Sequence, residues 1–188
     1  MIAEGRHSPA RSIASILRDA RASATIEFAL VLPVMLMILG IGMIGGEELA
    51  IGQKVTATAR TVVDIISQNS VLSTSQMTAI LDASAYTMAP YGSANLSIVV
   101  AEVQTNSSGA ATVTWSAAAY GGTALAKGSS MTLPTGMGIA NATYIYGVVT
   151  YAYTPLGIGF GVLSTVPLSD SSFWSPRIST TVNYPSPS

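Results

Sequence analysis

The chain contains no cysteine and a single histidine, His7. Without cysteine there is no disulfide framework, no thiolate nucleophile and no cysteine-ligated zinc. A zinc site or a Ser-His-Asp triad would need a histidine that the chain after His7 lacks. Charge is scarce as well: Asp, Glu, Lys and Arg make up 9% of the 188 residues, against roughly 25% in ordinary soluble chains. Hydrophobic residues, at 49%, are close to normal, so Ser, Thr, Ala and Gly occupy the places that charge would take. A surface of hydroxyls and small side chains fits an exported bacterial surface protein better than a cytosolic enzyme. The net charge of −1 supplies no field for nucleic acid, so no nucleic-acid partner is expected. No cofactor is expected either: Gly157, Gly159 and Gly161 alternate, but no phosphate-binding lysine or helix signature accompanies them.

What is present is a long apolar run. From Phe28 to Gly46, FALVLPVMLMILGIGMIGG, there is no charged residue. A helix crossing a bilayer core of about 30 Å needs about 20 residues at 1.5 Å each. The run meets that length, and Glu47 and Glu48 close it. A buried core helix would carry a polar face, and this segment has none. Arg6, Arg11, Arg18 and Arg21 precede it, against Glu4 and Asp19. Basic flanks stay cytoplasmic, so the N-terminus is expected inside and the residues after 46 outside. The run exceeds the usual apolar length of a cleaved signal, and a helical pattern continues from it, so a retained anchor is expected.

Glu27 stands at the cytoplasmic border of this run, within Ala24-Thr25-Ile26-Glu27-Phe28-Ala29-Leu30. A carboxylate entering hydrocarbon costs about 2.5–3.5 kcal/mol on insertion scales, which makes it a functional candidate by default. An interfacial glutamate that reaches water is the alternative on position alone. The stretch from Arg18 to Pro33, RDARASATIEFALVLP, resembles the N-terminal signature of TadE/TadG-like proteins of the Tad (Flp-type) pilus machinery. Those proteins share a basic stretch, a small residue, four further residues, Glu-Phe or Glu-Tyr, and an apolar helix with an early proline. Val148 to Leu156, VVTYAYTPL, looks like the Tyr-x-Tyr-x-Pro strand that occurs late in the family.

The resemblance implies processing by a prepilin peptidase, a membrane aspartyl enzyme, between Ala22 and Ser23. Ser23 becomes the new N-terminus and Glu27 its fifth residue. The family's usual residue before the cut is glycine, and Ala22 departs from it. Cleavage would remove Arg6, Arg11, Arg18 and Arg21 and create an α-amino group with an ordinary pKa of about 7.7–8.0. A neighbouring subunit's Glu27 could pair with it, avoiding an unpaired ion in hydrocarbon. The implied partners are other pilin or pseudopilin subunits, the prepilin peptidase and the inner-membrane Tad assembly platform. Glu27 and Phe28 are the implied assembly residues.

Within the same helix, Pro33 removes one amide hydrogen bond and frees the carbonyl of Ala29, predicting a kink. Gly42 and Gly46 form a G-x-x-x-G pair that lets two helices approach closely; flexibility at the membrane exit is the other reading.

Beyond Glu47 the spacing of Leu49, Val55, Val62, Ile65 and Ile66 predicts that the helix continues to about Ser70. A second helix is expected from about Ser75, as cap, to Met88. Strands are expected at Leu96–Gln104, Thr112–Trp115, Tyr144–Tyr153 and Arg177–Tyr184. Asn106-Ser107-Ser108-Gly109 reads as the turn of a hairpin, Tyr120–Gly138 as a long loop, Gly157–Gly161 as a bend and Pro185–Ser188 as a frayed tail. The fold class is α+β: a long N-terminal transmembrane-plus-stalk helix packed on a small, mainly antiparallel sheet, as in pilins. The expected organisation is a cytoplasmic basic leader (1–22), a transmembrane helix (23–46), a helical stalk (47–70) and an exported α+β domain (71–188).

The expected function is that of a minor pilin or pseudopilin of a Tad-type (type IVc) pilus, a structural, non-enzymatic role in pilus biogenesis and adhesion. An uncleaved periplasmic scaffold anchored in the inner membrane is the alternative. A membrane-tethered ligand-binding or hydrolytic domain is disfavoured, because an active site normally gathers perturbed titratable groups.

Overall fold

The computed structural model describes residues 20–155 and 164–185. The basic leader before Ala20, the expected bend at Gly157–Gly161 and residues 186–188 of the tail lie outside the described residues. The elements are α1 (Ala20–Ser67), α2 (Thr74–Ala85), two short 3-10 turns (Tyr86–Met88 and Ser93–Asn95), and strands β1 (Leu96–Thr105), β2 (Ala111–Tyr120), β3 (Ser130–Met131), β4 (Thr143–Tyr153) and β5 (Val166–Trp174). The strands form one sheet in the order β3-β2-β1-β4-β5, with every neighbouring pair antiparallel. The fold is α+β. The chain divides into two compact units, Met1–Gly45 and Gly46–Ser188, and α1 contributes to both.

In the second unit, α1 presents Ile51, Val55, Ala59, Val62, Val63 and Ile66 to the core, all essentially inaccessible to water. Their spacing of three and four residues keeps them on one helix face. Opposite them lie Ile98 and Val100 of β1, Trp115 and Ala117 of β2, and Ile145, Val149, Tyr151 and Tyr153 of β4. The helix segment 47–67 packs on the sheet within the second unit. It ends at Ser67, where the carbonyl of Ile65 accepts from the Asn69 side chain (2.7 Å) and from the Gln68 amide (3.3 Å).

Gly147 fixes how closely helix and sheet approach. A Cβ at that position would lie 2.4 Å from Val63 Cγ2 and 3.3 Å from Val62 Cγ1. Only glycine lets β4 pass beneath α1 there, which explains why an otherwise regular alternation of large residues breaks at this point. The other face of the sheet carries a smaller cluster of Ala101, Val103, Ala111 and Val113. Leu125, Met131 and Leu133, from the segment between β2 and β4, cover it together with Tyr146.

Three expectations change in the structure. The second helix is capped by Ser73, not Ser75: the Ser73 hydroxyl accepts from the Gln76 amide, and the Gln76 side chain accepts from the Ser73 amide. Its α-helical part ends at Ala85, and Tyr86–Met88 tightens into a 3-10 turn. Arg177–Tyr184 is not a strand. It makes a single parallel bridge, Asn183 to Val71, while the last sheet strand is β5, upstream of it. The loop expected at Tyr120–Gly138 contains the short β3, paired with the start of β2.

Candidate functional site

The N-terminal segment of α1 differs from the rest of the described chain in what surrounds its side chains. Ile26, Phe28, Leu30, Val31, Leu32, Val34, Met35, Leu36, Met37, Ile38, Leu39, Ile41 and Met43 are all exposed. Each large apolar side chain gains roughly 1.5–3 kcal/mol on leaving water. Almost none of the run is buried among the described residues, so it is not packed as a core helix of this chain. Among the described residues this is the one helix long and apolar enough to cross a membrane.

The candidate residues sit along it as follows. Ala22 and Ser23 lie in the first turns of α1, and Glu27 follows Ser23 by one helical turn. Glu27 and its neighbour Phe28 are exposed. The one ion pair among the described residues lies elsewhere, between Arg177 and Asp64 (2.7 Å). α1 runs through Pro33 without interruption. Gly42 and Gly46, also a turn apart, face open space: a Cβ on either meets nothing within 4 Å. The same holds for Gly45 and Gly52. Glycine in a helix interior costs roughly 0.5–1 kcal/mol relative to alanine. At Gly147 the packing of the chain explains the residue; at Gly42 and Gly46 nothing among the described residues does.

At the other end of the apolar run, Glu47 accepts a hydrogen bond from the Tyr153 hydroxyl (2.9 Å). Tyr153 closes β4 and is 5% exposed. Burial, then the hydrogen bond to Glu47 and the charges of Glu47 and Glu48, push the Tyr153 phenol up to about 12. The phenol therefore stays protonated as a donor at any physiological pH, and it ties the start of the second unit's helix to its sheet. Sequence reasoning read Glu47 only as the end of the apolar run. Its partner, 106 residues away, has no local signal.

Two further polar constellations lie in the second unit. Glu102 is buried, and its carboxylate accepts from Thr114 Oγ1 (2.9 Å), Gln104 Nε2 (3.2 Å) and the Val182 amide (2.5 Å). All its contacts are internal, which makes it a structural carboxylate. A separate hollow of about 280 Å³ is lined by Asp82, Tyr86, Pro90, Tyr91, Ser93 and Tyr120 among others. Among the described residues, no three His, Cys, Asp or Glu side chains gather as a metal ion would require.

Comparison with protein-family models, with curated proteins and with solved structures finds no match for this chain.

Proposed function

We propose that the chain is a minor pilin- or pseudopilin-like subunit of a Tad-type pilus, assembling through its N-terminal helix. Residues 23–46 anchor it in the bacterial inner membrane, with the N-terminus cytoplasmic and residues after 46 periplasmic. The observation that carries this reading is the change of environment along one uninterrupted helix. Up to Met43 every large apolar side chain of α1 is exposed; from Ile51 only one face is apolar, and it is buried against the sheet. An anchor and a core helix are thus one element.

Three further features support the reading. The RASATIEF sequence around Glu27 resembles the processing site of the family, with Ala22 before the cut and Ser23 after it. The glycines at 42 and 46 are open on a surface that a second helix could approach closely. The helix continues from Gly46 into the folded core, so removal of the apolar run as a signal would open the chain just before the buried Ile51. On this reading the prepilin peptidase, the inner-membrane Tad assembly platform and other pilin subunits are the partners, and the role is structural. An uncleaved inner-membrane scaffold is the second reading, favoured by Ala22 where the family carries glycine.

The intact mass of the protein extracted from its native membrane tests both. A species beginning at Ser23 is expected for the pilus subunit. A species retaining residues 1–22 overturns processing and leaves the fixed scaffold.

A further inference from the structure

The hollow beside α2 has a chemistry that neither the fold nor the anchor requires. Asp82 comes from α2, Tyr86 from the 3-10 turn after it, Tyr91 from the turn that follows, and Tyr120 from the end of β2. Tyr86 is 80% exposed and Tyr120 44% exposed, so both rings carry apolar area that no described residue covers. Tyr91 is held in place by an edge-on contact with Tyr151 (centroids 6.3 Å apart).

Tyr120 is also held in an uncommon backbone conformation, with φ of +58°. Bulky residues rarely adopt the left-handed region, and where they do the surroundings must enforce it. Here Gly121 donates to the carbonyl of Leu96 (3.0 Å) and Gly122 to that of Ala119 (3.0 Å). A side chain at Gly122 would meet the Ile98 carbonyl oxygen at 2.5 Å, so the turn has no room to relax. The turn sets the Tyr120 hydroxyl against Asp82, to which it donates (3.1 Å). Burial and the Asp82 carboxylate raise the Tyr120 phenol, which keeps it a donor.

The result is a carboxylate bordered by phenol rings. Among the described residues no Lys, Arg or His lines the hollow, and Asp82 takes no part in their one ion pair. Ring faces carry negative electrostatic potential and attract cations, as does the carboxylate. A saccharide could stack on the rings and donate its hydroxyls to Asp82; an organic cation adds attraction to both the carboxylate charge and the ring faces. The volume of about 280 Å³ lies just below the ~300–1,000 Å³ of sites that enclose drug-sized ligands. It suits a head group rather than a whole large molecule.

We infer that Asp82, Tyr86, Tyr91 and Tyr120 form a binding site for the ammonium head group of a small organic cation. The site lies wholly in the second unit and does not depend on the pilus reading.

The test uses the full chain in a non-ionic polyoxyethylene detergent, with 13C-labelled tyrosine rings observed by NMR. Choline chloride is titrated in, with its uncharged isostere 3,3-dimethylbutan-1-ol and with methyl glucoside as separate arms. Saturable shifts confined to a subset of tyrosines with choline alone, weakened about tenfold by Asp82→Asn and by Tyr86→Ala, are expected. Both substituted residues are exposed, so the variants keep the fold. Equal response to the uncharged isostere, a response to methyl glucoside in place of choline, or no saturable shift at all overturns the inference.

Discussion

Glu102 and Trp115, directly opposite each other in β1 and β2, hold the two polar backbone groups of one residue, Val182. The Glu102 carboxylate accepts from the Val182 amide (2.5 Å), and the Trp115 indole donates to the Val182 carbonyl (2.6 Å). Around this clamp, Arg177 donates its amide to the Ser67 carbonyl and Leu72 donates to Asn183, so the segment after β5 is fastened to the end of α1 and the loop beyond it. Tyr184 adds an edge-on contact with the Trp115 ring, centroids 5.3 Å apart. A segment without regular structure is thus held by hydrogen bonds to β1, β2, the end of α1 and the loop after it.

The clamp makes a prediction about stability. In Glu102→Ala the buried Val182 amide loses its acceptor, an outcome that costs about 1–3 kcal/mol. Trp115→Phe removes the donor to the carbonyl and is expected to cost about as much. Because both act on one residue, the double variant should lose less than the sum. Denaturant unfolding of the three variants checks this, and faster amide exchange at Val182 in Glu102→Ala localises the effect.

Gly147 and Gly46 predict opposite responses to the same substitution. In Gly147→Ala the new methyl group collides with Val63 Cγ2, and overpacking of this kind costs about 1–3 kcal/mol. Adding Val63→Ala should restore part of the loss, because the obstruction is a side chain. In Gly46→Ala nothing is struck, and the helix should gain about 0.5–1 kcal/mol. Denaturant midpoints measure the first pair and helix protection against amide exchange the second. If Gly46 faces another helix in an assembly, Gly46→Ala should also reduce assembly while leaving the chain itself no less stable.

These glycines also mark what sequence can and cannot disclose. The apolar run, Glu27, Pro33 and the paired glycines are legible because a helix lays its residues out in chain order. The strand at Tyr144–Tyr153 was legible from its residue types, and in the structure Ile145, Val149, Tyr151 and Tyr153 share its core side. The Asn106–Gly109 turn was legible from its residue types, and Gly109 does adopt a φ of +82°. By contrast β5, with Pro167, Ser169, Asp170, Ser171 and Ser172, has weak strand propensity. It is a strand because β4 offers it an edge, which is also where proline is tolerated. Arg177–Tyr184 alternates because Val182 and Tyr184 are anchors in a clamp, and that alternation imitates a strand. The cation site was not legible, since Asp82, Tyr86, Tyr91 and Tyr120 come from separate elements and meet only through the fold.

The Tyr153–Glu47 hydrogen bond predicts a pH dependence at high pH. Tyr153 titrates at about 12 in the folded chain, above its ordinary value of 10.0. A raised folded value means the contribution is complete below pH 10 and is lost as pH climbs from 10 to 12. Tyr153→Phe removes the donor to Glu47 and should cost about 1 kcal/mol at neutral pH. The gap between wild type and Tyr153→Phe should narrow as pH rises through that window. Unfolding midpoints at neutral pH and at pH values from 10 to 12 check it; a constant gap would show that the phenol is not shifted.

The proposed assembly role makes its most direct prediction at Glu27. The carboxylate is exposed at the start of the apolar run, where hydrocarbon penalises an unpaired charge. On the pilus reading its partner is the α-amino group that cleavage creates on Ser23 of a neighbouring subunit, cationic at neutral pH. Within one chain, Ser23 and Glu27 lie a turn apart on the same helix, so an intermolecular pair would fix the axial register between neighbours. Glu27→Ala removes a charge from the run and should insert into the membrane at least as well as wild type. It should nonetheless fail to enter pili, because the neighbour's amine would be left unpaired in hydrocarbon. Glu27→Asp, which retains the charge on a shorter side chain, should restore incorporation in part. Membrane fractionation and immunolabelling of sheared pili separate the two steps. Wild-type piliation by Glu27→Ala would remove the carboxylate from the assembly mechanism, and loss of membrane insertion would assign it to the anchor instead.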